Sequence, residues 1–166
     1  MIYIGLPQWS HPKWARLGIT SLEEYARHFN CVEGNTTLYA LPKAEIVDRW
    51  YAQTTDDFRF CFKFPATISH QAALRHCDDL VHAVVTASHP MVRFIGSDNM
   101  AQNREFFAAW LQKLPQWRQT TTPFLFLHTP DIAQAPELVN TLWHDLRSVL
   151  PEIGTAPSIP QQSSLF

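Results

Sequence analysis

Five short apolar runs alternate with stretches of helical spacing along this 166-residue chain. That alternation limits the fold more than any other feature. Met1–Leu6, Cys31–Glu33, Phe58–Phe64, Met91–Ile95 and Phe124–Leu127 have the length and composition of buried strands. Between them, apolar residues recur at helical intervals: Leu22, Tyr25, Ala26 and Phe29 behind an S-x-x-E capping box at Ser21, then Ile46, Val47, Trp50 and Tyr51 behind Pro42. A helix-compatible stretch runs from His70 to Leu80. Phe106, Phe107, Trp110, Leu111 and Leu114 form the next stripe, with Pro115 as its expected stop. Leu138 to Val149 form the last, opened by Pro136 and ended by Pro151. Strand–helix alternation predicts parallel β-α-β units, which excludes a meander or a helical bundle.

The third run is the most informative. Its period of two puts Phe58, Phe60, Phe62 and Phe64 on one face and Arg59, Cys61 and Lys63 on the other. The phenylalanines call for a layer of helices, so Lys63 is expected on the opposite side of the sheet.

With 46% hydrophobic residues, the chain can bury one core and is too short for two. A net charge of -2 provides no field for nucleic acid or an anionic membrane. Cys31, Cys61 and Cys77 include no C-x-x-C pair and read as reduced packing residues. No run approaches the ~20 apolar residues of a membrane span, and MIYIGLPQW lacks the pattern of a secretion signal, so the cytoplasm is the expected compartment. The sequence divides into a domain over 1–150 and a tail over 151–166. Proline, serine and glutamine dominate TAPSIPQQSSLF, a composition that does not order itself.

Several separated segments carry a family likeness: YIG-x-x-x-W, YARHFNCVEGNTTLYALP, FRFCFKFPATISH, RFIGSDNMAQNREF and FLFLHTPDIAQAPE. Together they resemble the YecE-like proteins, a family of unknown function with a TIM-barrel fold. A full barrel of eight β/α units needs ~250 residues, and this chain has room for about five. The resemblance implies that the motifs of barrel strands 1–3 are followed directly by those of strands 7–8, with the middle of the barrel absent. Strands 7, 8, 1, 2 and 3 are neighbours around a barrel, so the expected fold is α/β: a partial TIM-like barrel of about five parallel strands. Its two edge strands would lack partners and would favour a homodimer.

In such barrels the active site lies at the C-terminal ends of the strands. There the resemblance sets Trp9, Ser10 and His11 after the first strand, Glu33, Asn35 and Tyr39 at the second, and Lys63 and His70 at the third. Arg93, Ser97 and Asp98 belong to the fourth, and His128 and Asp131 to the fifth. Glu33 and Lys63 end adjacent strands, so a carboxylate beside an ammonium gives either an acid/base pair or a structural ion pair. With His70, they are the expected catalytic residues. Trp9, Asn35, Tyr39, Arg93, Asp98 and His128 are the expected substrate contacts. Arg93 is the candidate anion partner, and Asp98 or Asn99 reads more simply as a helix cap. No ligand spacing such as H-x-x-x-H supports a metal, and no motif names a cofactor.

The last five residues, Gln162-Ser163-Ser164-Leu165-Phe166, resemble the Q-x-[S/D]-L-F peptide that docks on the bacterial sliding clamp, with serine in place of the usual leucine after glutamine. Gln162, Leu165 and Phe166 are the expected partner contacts. Three functions remain open from sequence: an enzyme using the polar rim, a clamp-binding adaptor without catalysis, and a shortened paralogue that has lost function.

Overall fold

The computed structural model describes residues 1–63, 65–66 and 89–157. Phe64, His70, Cys77, the stretch from His70 to Leu80 and the clamp-like peptide at Gln162, Leu165 and Phe166 lie outside the described residues. Five strands form one parallel sheet: β1 (Tyr3–Leu6), β2 (Cys31–Gly34), β3 (Arg59–Phe62), β4 (Met91–Ile95) and β5 (Phe124–His128), in the order β3-β2-β1-β5-β4. Four helices flank it: α1 (Leu22–Ala26), α2 (Ala44–Ala52), α3 (Met100–Thr120) and α4 (Ala135–Val149).

The period of two sorts each strand onto two faces. Ile4, Leu6, Val32, Leu125, Leu127 and Phe94 are buried in the larger core together with residues of α1, α3 and α4, such as Tyr25, Phe107, Leu138 and Leu142. The other face carries a smaller cluster of Tyr3, Cys31 and Phe126, joined by Cys61 and Phe124. Tyr3 and Phe124 stack at 4.7 Å. A sheet apolar on both sides, with helices on one, is the wall of a (β/α)-barrel.

The junction of β1 and β2 is tight and reinforced by side chains. Direct pairing is limited to Gly5↔Cys31 and Leu6↔Val32. Before it, the Asn30 amide takes over the ladder, accepting from Ile4 N at 2.8 Å and donating to Ile2 O at 3.0 Å. The buried Tyr25 hydroxyl accepts from Leu6 N at 2.7 Å and donates to Cys31 O at 2.9 Å. A Cβ on Gly5 would overlap the Cys31 carbonyl oxygen, so this position admits no side chain unless the strands part.

Four features depart from the sequence reading. Helix α3 runs through Pro115 to Thr120. Buried Leu114, the edge contact of Trp110 with Trp117 at 6.0 Å and an Arg118–Glu152 ion pair hold its last turns and outweigh the lost backbone bond. Phe106 is exposed, because only Phe107 and its neighbours along the stripe face the sheet. In α2 no residue is buried. Ile46, Val47 and Tyr51 face solvent, and Trp50 alone reaches the sheet, stacking on Phe60 at 6.2 Å and Phe62 at 5.6 Å. The packed chain also extends past Pro151, where the sequence reading starts the tail: Pro151–Ile153 form a 3-10 turn, and Trp143 Nε1 donates to Gly154 O at 3.3 Å.

β3 and β4 are the two edges of the sheet. No helix among the described residues is long and apolar enough to cross a membrane. The glycine at the sheet centre gives a sharp comparison. Gly5→Ala should lower stability by about 3 kcal/mol, the upper end of overpacking, because the obstacle is backbone. Gly18→Ala, at a left-handed φ of 73° with open space around it, should cost about 1 kcal/mol. Urea unfolding of both variants checks this, and equal losses would contradict it.

Candidate functional site

The site grows out of the concave face at the C-terminal strand ends. Glu33 lies on β2, one residue before the strand ends, on the same side as Cys31 and its cross-strand neighbour Cys61. It is 6% exposed. Burying a carboxylate costs several kcal/mol unless cations and hydrogen bonds offset it. Arg93 provides them: its Nε donates to Glu33 Oε2 at 3.0 Å, and its terminal nitrogen Nη2 is in contact with Oε1. This two-point clasp is the strongest geometry a carboxylate–guanidinium pair adopts. β1 and β5 separate the two residues' strands, so the bond crosses the hollow of the arc.

Lys63 completes the group from the end of β3. Its Nζ lies 3.9 Å from Glu33 Oε1 and its side chain is 40% exposed. Its backbone is pinned by the buried Thr37, whose hydroxyl donates to Lys63 O at 2.7 Å. Thus the Glu33–Lys63 proximity is present in the structure, but Arg93 is the closer partner. The alternation in the third run does carry Lys63 to the concave side.

His128 ends β5, level with Ile95 of β4. Its Nδ1 is buried and has no hydrogen-bond partner among the described residues. Burial, and then the charges of Arg93 and Lys63, hold the imidazole below its ordinary range, so the neutral form is favoured. A neutral imidazole with a free ring nitrogen beside two cations is equipped to accept a proton or a ligand hydrogen bond.

The remaining rim residues have other roles. Trp9 packs edge-on against Trp50 at 5.3 Å and belongs to the hydrophobic layer. Tyr39 is 86% exposed and Asp98 is exposed on the turn after β4. Asn35 donates to Pro7 O at 2.8 Å, while its buried Oδ1 has no partner among the described residues. Asp131 pairs with Lys13 at 3.2 Å, and its carboxyl is held low first by the Ala133 N–H and then by Lys13. The turn at Gly96-Ser97 offers no anion cup: Gly96 N donates to His128 O at 2.8 Å and Ser97 N to the buried Asn103 Oδ1 at 2.7 Å. Asn99 is the cap of α3, accepting from Ala101 N and Gln102 N.

Burial pushes the Cys31 thiol up, and the Cys61 thiol up to about 11, so neither is a ready nucleophile. Among the described residues no three His, Cys, Asp or Glu side chains stand close enough to share a metal ion. A cavity of about 540 Å³ lies at the opposite, N-terminal end of the strands, lined by Tyr3, Arg27, Asn30, Arg118 and Trp143 among others. Of its polar lining, Asn30 pairs with β1, Arg27 with Glu23 and Arg118 with Glu152. The buried polar atoms without a partner among the described residues, on Asn35, His128 and Gln134, are not part of that lining.

Sequence reasoning finds Glu33, Lys63, Arg93 and His128 but not which pair is closest. It misses Thr37 and Asn103, whose only sequence signal is a small polar residue beside a strand end or helix start.

Fold and mouth together define an α/β protein of the (β/α)-barrel type with a polar cluster at the C-terminal strand ends. The chain belongs to the family described as "Protein of unknown function DUF72", whose model matches residues 3–87 and 78–163. It is 52% identical over 272 residues to the UPF0759 protein YecE of Escherichia coli K12, with all of both chains covered, and equally to that of Escherichia coli O157:H7. Two crystal structures of a DUF72 family protein from Enterococcus faecalis V583 also match. Their TM-scores are 0.40 and 0.36 at 23% and 21% identity, over 87% and 90% of this chain. The chain spans 58% and 60% of those chains' lengths.

Proposed function

We propose that this chain is an enzyme acting on a small polar substrate at the mouth of a shortened barrel, in the cytoplasm. His128 is the proton-transfer group, Lys63 meets the substrate, and Glu33 with Arg93 fixes the charges around them. The observation that carries this reading is the grouping of Glu33, Lys63 and Arg93 from three strands, within the electrostatic reach of His128, whose buried Nδ1 has no partner among the described residues. A purely structural ion pair explains Glu33 and Arg93 but leaves that nitrogen unaccounted for. Two facts support the shortening. The family model matches as two segments, and the alignment with YecE runs over 272 residues against 166 here.

The test is turnover. Incubated with a small-molecule extract of Escherichia coli, the purified chain should deplete at least one metabolite, read by mass spectrometry against heat-denatured protein. His128→Gln should slow that depletion about 100-fold, the usual contribution of a general acid or base. An unchanged metabolite profile, with the protein folded, counts against the enzyme.

The peptide Gln162-Ser163-Ser164-Leu165-Phe166 favours a second reading, in which the tail docks on a bacterial sliding clamp and links the barrel to DNA replication or repair. A Leu-Phe pair gains affinity by burial in a groove, and tethering raises local concentration at DNA. A fluorescent peptide ending in these residues should bind the Escherichia coli clamp with Kd below about 100 μM, roughly -5.5 kcal/mol, and lose binding when Leu165 and Phe166 become alanine. No binding at that concentration removes this reading, and with it the adaptor.

A further inference from the structure

Among the described residues, the charges around the mouth do not balance. Glu33 is the one carboxylate in the group, and Arg93 clasps both its oxygens. Asp131 is committed to Lys13, and Asp98 stands out on the turn after β4. Lys63 therefore shares an anion already paired, at 3.9 Å, with 40% of its side chain open to solvent. On the same face, near enough to feel the charges of Arg93 and Lys63, stands His128, whose buried Nδ1 has no partner among the described residues. A lysine whose charge is half-satisfied, sharing a face with an unpartnered imidazole, has use for an acceptor that is negative and compact.

We infer that the mouth binds an oxyanion, the phosphoryl or carboxylate group of the substrate, held by Lys63 Nζ and the His128 imidazole. The inference rests on the enzyme reading only for the word substrate. The ammonium supplies charge, as lysine does at phosphate sites, and the imidazole supplies a directional hydrogen bond. Arg93 adds positive field, with its Nε and Nη2 turned to Glu33. Anion binding neutralises Lys63, removes one of the two cations that disfavour a protonated imidazole, and so favours His128 carrying the proton it would deliver. Anchoring the substrate and readying the acid are then one event.

The test uses the full chain with isotope-labelled histidine rings, followed by NMR at pH 7 and constant ionic strength, with His128→Gln identifying the resonance. Inorganic phosphate and acetate are titrated separately against a chloride control. Saturable movement of the His128 signal with Kd below about 10 mM supports the site. Phosphate alone assigns a phosphoryl group, acetate alone a carboxylate, and both the shared oxyanion chemistry. Lys63→Met should weaken binding at least about tenfold, a difference near 1.4 kcal/mol. Lys63→Arg, which keeps the charge, should retain it and serves if the methionine variant fails to fold. The inference is overturned if neither anion moves the signal saturably, if chloride does so equally, or if a folded Lys63→Met binds as well as the parent. Anion binding without metabolite turnover would leave the site and remove the enzyme; turnover without anion binding would do the reverse.

Discussion

A buried carboxylate, Glu33, reaches across the hollow of the sheet to Arg93, and the arrangement of the C-terminal rim depends on it. Glu33 belongs to the first part of the chain and Arg93 to the last, with two strands between theirs in the sheet. Neither residue is tolerable alone in that position: the carboxylate would be buried without a counter-charge, and the guanidinium would stand beside Lys63 with nothing to offset either cation. The clasp forms only when β5 and β4 dock on the free side of β1. It therefore reports on correct assembly of the arc as well as shaping the mouth.

Around this pair the polar groups divide into those that frame the mouth and those left available. Thr37 fixes the end of β3, Asn103 draws in the turn after β4, and Trp14, fully buried, donates from Nε1 to Ala133 O at 3.2 Å, tying the loop after β1 to the one after β5. Each of these spends its hydrogen bonds on backbone and so holds the shape of the rim. Among the described residues, Lys63 and the buried atoms Nδ1 of His128 and Oδ1 of Asn35 keep bonding capacity that the fold does not use, and it is this unmet capacity that makes the mouth a site.

Much of this was legible in sequence, for reasons that can be traced residue by residue. The alternation over Phe58–Phe64 sends Lys63 to the concave face because strand periodicity is local and depends on no partner. The polar Arg93 inside an apolar strand signals an inward position by the same logic. Its partner was not legible, because β2 and β4 meet across two intervening strands, a tertiary fact that no spacing encodes. The Asn30 and Tyr25 side chains that complete the β1–β2 ladder were equally hidden, since they replace backbone bonds that periodicity assumes are made. Pro115 misleads in the other direction: local rules end a helix there, and aromatic packing carries it on. The apolar stripe of α2 reads as core, but only Trp50 reaches the edge strand.

The most direct test of the account is a double-mutant cycle on Glu33 and Arg93, using Glu33→Gln, Arg93→Met and the pair, each measured by urea unfolding. The structure predicts a coupling of about 2 kcal/mol, with the double variant more stable than the sum of the single losses allows. A coupling under about 0.5 kcal/mol would mean that the two residues do not meet across the arc, and the mouth described here would not exist.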